Sequence, residues 1–251
     1  MKNRYFIRLS FKGTHYHGWQ VQANAKTVQG ILNRDLSIIM GEKIEVTGAG
    51  RTDTGVHTKV FYAHFDSEKD NLHQDTNLIF RINGKLPKDI AVHEILKVKN
   101  DAHARYNAIS RTYEYHITRV KNPFLTDFAH YIYGELDFEA MKSATALLLN
   151  VSDFTSFSKV DTDVKTNICK VRRADWEIDK EKIVFSITAN RFLRDMVRAI
   201  VGTMLDIGFG RIKPDDLTAI IDKKDRSAAG ASVPAKGLFL VDVQYPEGIL
   251  V

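Results

Sequence analysis

The sequence predicts an α+β chain made of two tandem halves, each running β-α-β-β-α-β. Three observations predict this. Runs of period-two alternation and runs of helical periodicity follow one another in that order, twice. The chain has 251 residues, which suits one large domain or two small ones. Hydrophobic residues make up 44%, enough for a real core.

Tyr5, Ile7, Leu9 and Phe11 alternate with Arg8 and Ser10, so residues 4–11 read as a strand. Thr27 is placed to cap a helix whose apolar face is Val28, Ile31, Leu32, Leu36 and Ile39, and Gly41 ends it. Strands follow over 43–47 and 60–66, on either side of a glycine-rich loop. Asp75-Thr76 starts a short helix through Ile82, stopped by Asn83-Gly84, and 90–98 is the fourth strand. The second half opens with a strand over 111–118. Asp137 caps a helix bearing Phe138, Met141, Ala144 and Leu148. A hairpin over 168–178 and 182–190 turns at Asp179-Lys-Glu181. A helix runs from about Arg191 to Asp206, Pro214 opens a small extra helix, and 238–245 is the last strand. Split β-α-β units in tandem imply two ferredoxin-like halves, 1–105 and 106–251. They are expected side by side in one extended, mainly antiparallel sheet, with helices on one face and a central cleft. Insertions at 12–26 and 152–167 are expected to be loops available to grip a partner.

Composition narrows the function classes. Net charge is +5, and the excess lies in residues 1–105, which hold 16 Lys/Arg against 11 Asp/Glu. That suits a polyanionic partner. No apolar run reaches membrane-span length, so no membrane partner is expected. The N-terminus lacks a signal-peptide apolar region and Cys169 is the single cysteine, so a reducing cytoplasm is the expected compartment. His15-Tyr-His17 is a poor metal signal without a cysteine or carboxylate cluster beside it. No P-loop or dinucleotide fingerprint is present.

The stretch Gly48-Ala-Gly-Arg-Thr-Asp-Thr-Gly-Val-His57 is the strongest candidate for chemistry. A turn aspartate capping backbone amides is the commoner role for a residue such as Asp53. Three glycines and Arg51 around it favour a carboxylate presented to a ligand at short range. Asp53-Thr-Gly55 also matches an aspartic-protease triplet, but that chemistry needs a second carboxylate, and the chain has no second Asp-Thr-Gly. On the helix from Arg191, a 100° wheel groups Arg191, Arg194, Asp195 and Arg198 on one face. The usual outcome is a solvated stripe. Arg198, mid-helix, is the best candidate for a buried anionic partner. Tyr113 and Tyr115 share a strand face with Ile117; core packing is the default, stacking on an unpaired base the alternative. Phe154-Thr-Ser-Phe157 is either a turn closing over the site or an anchored loop.

The chain resembles the tRNA pseudouridine synthase A family over nearly its whole length. The resemblance rests on Tyr16-His-Gly-Trp-Gln-Val-Gln22, Gly50-Arg-Thr-Asp-Thr-Gly-Val-His57, Arg111-Thr-Tyr-Glu-Tyr115 and Asp153-Phe-Thr-Ser-Phe157. It rests also on Phe192-Leu-Arg-Asp-Met-Val-Arg-Ala-Ile-Val-Gly202 and Ala235-Lys-Gly-Leu-Phe-Leu240. It implies isomerisation of uridine to pseudouridine at positions 38, 39 and 40 of the tRNA anticodon stem-loop, by a homodimer needing no cofactor and no metal. It makes Asp53 the catalytic aspartate, Arg198 its pairing arginine, Arg51 the arginine of base flipping and Tyr113 the active-site tyrosine. The chain departs from the family pattern at Thr58, Lys59, Phe61, Arg191 and Asp195, none of them expected to touch that set. A non-catalytic RNA-binding module is the alternative, and an aspartic protease a distant third.

Overall fold

Strand β1 (Asn3–Phe11) buries Tyr5, Ile7, Leu9 and Phe11, as its alternation requires. The computed structural model to which it belongs describes residues 2–159 and 166–251. Thr27 caps α1 (Val28–Met40), its hydroxyl accepting from the Gly30 N–H at 3.3 Å, and Gly41 ends it. The strand expected over 43–47 shrinks to β2 (Thr47–Gly48). The Ile44 N–H donates to Ser37 Oγ and the Val46 N–H to Asn33 Oδ1, each at 2.8 Å. Side chains of α1 thus take donors that a ladder would otherwise have to satisfy. Strand β3 (His57–Ser67) follows.

Asp75 Oδ1 accepts from the Asn77 and Leu78 N–H groups and caps α2 (Thr76–Lys85). This helix runs through Asn83-Gly84, where a stop was expected. The Asn83 side chain is held instead by the Val92 backbone, donating to its carbonyl and accepting from its N–H at 2.8 Å each. Strand β4 (Ile90–Lys97) comes next.

Then come β5 (Ser110–Thr118), the two-residue β6 (His130–Tyr131) and α3 (Phe138–Leu147), capped by Asp137. The hairpin is β7 (Val171–Ile178) with β8 (Lys182–Ala189). Helices α4 (Met196–Gly208) and α5 (Asp216–Asp222) and strand β9 (Leu238–Gln244) complete the order. Helix α4 begins five residues later than expected. Asp195 lies at φ 68°, ψ −3°, and a left-handed residue cannot sit inside a right-handed helix. The expected four-residue charged face therefore does not form: Arg191, Arg194 and Asp195 all precede the helix.

The chain divides into two compact units, residues 1–109 with 240–251, and residues 110–239. In the first, β1 lies between β3 and β4, antiparallel to both, with Tyr5 opposite Phe65, Ile7 opposite Ala63 and Leu9 opposite Phe61. β2 pairs with β3, and α1 packs on α2. Phe6, on the other face of β1, packs with Val98, Ala102, Ala104, Tyr62, Tyr245 and Ile249. Residues 240–251, expected with the second half, group with the first compact unit. Their backbone explains why: the Ile109 N–H donates to Gln244, the Lys99 N–H to Ile249 and the Val251 N–H to Lys97.

In the second unit β8 lies between β5 and β7, antiparallel to both, with β6 parallel to β5. α3 packs on α4 and on β7. Of the insertion at 152–167, residues 160–165 lie outside the described residues. Its Phe154 and Phe157 are fully buried, and Ser156 Oγ donates to the Ile220 carbonyl at 2.7 Å, so this part is an anchored loop. The chain is α+β with mainly antiparallel strands and, among the described residues, five α-helices.

Candidate active site

In the first unit the candidate site is the turn between β2 and β3. Asp53 is half-buried on it, Arg51 is exposed, and Thr52 and Val56 point inward. The Val56 N–H donates to the Asp53 carbonyl at 3.2 Å and closes the turn. Within the insertion 12–26, expected as a loop available to grip a partner, segment 12–22 braces this turn. Tyr16 and Trp19 are buried. The Trp19 N–H donates to the Thr52 carbonyl, the Gly55 N–H to the Tyr16 carbonyl, and the Gly13 N–H to His57 Nδ1 at 3.0 Å. Tyr16 donates its hydroxyl to Asp89, and burial raises its pKa well above the usual phenol range. The Trp19 ring lies 4.3 Å from Phe61.

Two glycines make this bracing possible. Gly18 sits at φ +79°, and a Cβ there would lie 2.2 Å from the Thr52 carbonyl oxygen. A Cβ on Gly48 would lie 2.6 Å from the Trp19 ring. Gly48 therefore makes room for the protein's own core, not for a ligand. Gly50 has open space around it. The hydroxyls of Thr14, Thr52 and Thr58, at the same junction, are buried without a hydrogen-bond partner.

In the second unit, Tyr113 and Tyr115 separate in role. Tyr115 and Ile117 are fully buried, and the Tyr115 hydroxyl donates to the Pro234 carbonyl at 2.8 Å. Tyr113 is half-buried, edge-on to Phe192 with ring centroids 5.0 Å apart. Its ring is partly open and not part of the buried core.

Arg198 lies in the first turn of α4. Its Nε donates to the Val233 carbonyl at 2.7 Å and its Nη1 meets Asp195 Oδ1 at 2.9 Å. Asp195 also accepts the Ser232 hydroxyl, and Arg226 stands 3.9 Å from it. Arg226 ties the same segment down through the Gly230 carbonyl and Ser232 Oγ. The expectation that departures from the family pattern leave the catalytic set untouched is corrected here, since Asp195 is an ion-pair partner of Arg198. Sequence reasoning placed Asp195 on one face with Arg198 but not as its partner, and it missed Ser232 and Arg226, because these groups meet through a left-handed residue and a distant loop. The one local signal was the i, i+3 spacing of Asp195 and Arg198.

Arg51 and Asp53 thus share one loop of the first unit, and Tyr113 and Arg198 belong to the second. Among the described residues no group of three or more His, Cys, Asp or Glu is placed to hold a metal. No described helix is long and apolar enough to cross a membrane.

Comparison with known proteins shows the family. The family model described as tRNA pseudouridine synthase matches residues 9–107 and 144–246, which contain Arg51, Asp53 and Arg198. A protein named tRNA pseudouridine synthase A in Bacteroides fragilis is 50% identical over 247 residues, covering 98% of each chain. One of the same name in Porphyromonas gingivalis is 48% identical over 248 residues, again covering 98% of each. A third, in Caldicellulosiruptor bescii, is 39% identical over 241 residues, 95% of this chain and 98% of its own. With matches that span both units and include the braced aspartate loop, this chain belongs to the tRNA pseudouridine synthase family of isomerases.

Proposed function

We propose that this chain converts uridine to pseudouridine at positions 38, 39 and 40 of the tRNA anticodon stem-loop, with Asp53 as nucleophile. The observation that carries the reading is the bracing of the Asp53 turn. The backbone that carries the half-buried Asp53 is held there by bonds from segment 12–22, two residues from an exposed arginine. A carboxylate so carried is pre-organised for attack. The relatives' names supply tRNA as the substrate class.

The reaction breaks the bond from uracil N1 to the ribose C1′, turns the base, and joins C5 to C1′. The C5 proton is lost and N1 gains one. Attack on C1′, attack on C6, and abstraction of the ribose 2′ proton all require an ionised carboxylate close to the nucleotide. In this reading Arg198 is the counter-ion of Asp53 and keeps it ionised. The uridine leaves its stack at a cost of a few kcal/mol. Arg51, exposed on the same turn, fills the space it vacates. Tyr113 stacks on the extruded base. The enzyme works in the cytoplasm as a homodimer, without metal or cofactor.

Asp53→Asn tests the assignment. It is expected to lower tritium release from [5-³H]uridine-labelled tRNA by at least ~10⁴-fold while tRNA binding persists. Normal release from this variant would refute the nucleophile. Binding without release by the unaltered chain would make it an RNA-binding module instead. Light scattering that returned a monomer would refute the homodimer.

A further inference from the structure

Away from Asp53, the first unit carries a row of aromatic rings whose outermost member the core does not bury. His64, on β3, is buried. Its ring meets His103 edge-on, with centroids 4.5 Å apart. His103 meets Tyr106 at 4.2 Å and an interplanar angle of 34°. Tyr106, the outermost ring, is 75% exposed. The Arg105 guanidinium stands 5.8 Å from its centroid.

The loop that presents this stack is rigid. The Ala104 N–H donates to His64 Nδ1, and the Ala104 carbonyl accepts the Tyr245 hydroxyl. Arg4 Nη1 donates to the Ala102 carbonyl at 3.0 Å. His103 Nδ1 accepts from the Arg105 and Tyr106 N–H groups, and Asn107 Oδ1 accepts from the His103 N–H. β1, β3, Tyr245 and the loop's own side chains thus hold the backbone of an exposed ring that packs against His103. An exposed ring adds nothing to the core, and fixing it forgoes side-chain entropy.

We propose that Tyr106, backed by His103 and flanked by Arg105, is a stacking platform for an unpaired base of the RNA substrate. The chemistry favours a base over a protein side chain. Burial and the Arg4 charge hold both histidines below their usual pKa, so near neutral pH the stack offers uncharged π-faces. Arg105 beside it, with Lys97 and Lys99 nearby in sequence, supplies positive charge for the phosphates on either side of that base. The stacked nucleotide is not the one that reacts. His64 lies seven residues along β3 from His57, about 23 Å of extended strand at ~3.3 Å per residue.

This inference rests on the RNA-modifying reading above, so its test measures binding and turnover separately. Full-length protein is titrated with a tRNA transcript at fixed salt, and tritium release is followed on the same preparations. Tyr106→Ala is expected to weaken binding about ten- to hundredfold and to raise KM by a similar factor. Tyr106→Phe keeps the π-face and is expected to bind like the unaltered chain. Arg105→Gln is expected to lower the slope of log affinity against log salt by about one. Tyr106→Ala with unaltered Kd and KM refutes the platform and leaves the isomerase reading intact. So does Tyr106→Phe as weak as Tyr106→Ala, or a Tyr106→Ala effect on oligomeric state alone. If the unaltered chain released no tritium yet Tyr106→Ala still lost binding, the platform would stand and the isomerase reading would fall.

Discussion

At Asp195 the backbone enters the left-handed region, and the carboxylate it aims back reaches Arg198 and Ser232. Two penalties meet in one substitution there. Alanine removes the ion pair and the hydroxyl contact, and it is less tolerant of positive φ than aspartate or asparagine. Asp195→Ala is therefore expected to lower stability by about 2–3 kcal/mol in urea melts, and Asp195→Asn by less than about 1 kcal/mol. Equal losses would show that the left-handed geometry matters little. His64 gives a second prediction at this scale. Burial, the Arg4 charge and His103 push its pKa down to about 4, from an ordinary value of about 6.5. A depressed histidine favours the folded state fully above the unfolded pKa. That stability is lost as pH falls from about 6.5 towards 4, by at most about 3 kcal/mol. His64→Asn, whose carbonyl can still accept from Ala104, is expected to flatten the melting-temperature profile in that window. An unchanged profile would mean His64 contributes nothing to it.

Among the elements, the capped helix starts were the most legible. Thr27, Asp75 and Asp137 each cap the helix expected of them, because an N-cap is settled within three residues of sequence. Two other expectations failed where distant side chains took over backbone groups. Ser37 and Asn33 replaced the ladder of 43–46, and Asn83 spent its amide on Val92 instead of stopping α2. The brace of the Asp53 turn belongs to the same class, since segment 12–22 reveals its role only once it is folded against 48–57. Gly18→Ala tests that brace. With positive φ and a Cβ 2.2 Å from the Thr52 carbonyl oxygen, the turn must shift. We expect a stability loss of about 2–4 kcal/mol and, with Asp53 displaced, a turnover loss of about a hundredfold. Normal turnover in a folded Gly18→Ala protein would show that the brace does not position the aspartate.

For the whole molecule, the chain's end matters to its beginning. Tyr245 packs on Phe6 and Tyr62, with centroids 5.1 and 5.3 Å away, and Ile249 joins the same cluster. Deleting residues 245–251 uncovers that face of β1. It is expected to cost about 3 kcal/mol or more, read as a lower melting temperature. An unshifted melting curve would show that the first unit is complete without its tail. By itself the sequence determined the order and type of nearly every element, the glycine-rich turn bearing Asp53, and, through its motifs, the family. These signals are local: alternation, periodicity, caps and short motifs are each read within a few residues of chain. Only the tertiary structure decided that 12–22 braces the turn and that Asp195 holds Arg198. It alone also placed residues 240–251 with the first unit and set Tyr106 outward against His103. Each of these depends on residues far apart in sequence meeting across a packed interior, and no periodicity along the chain encodes such a meeting.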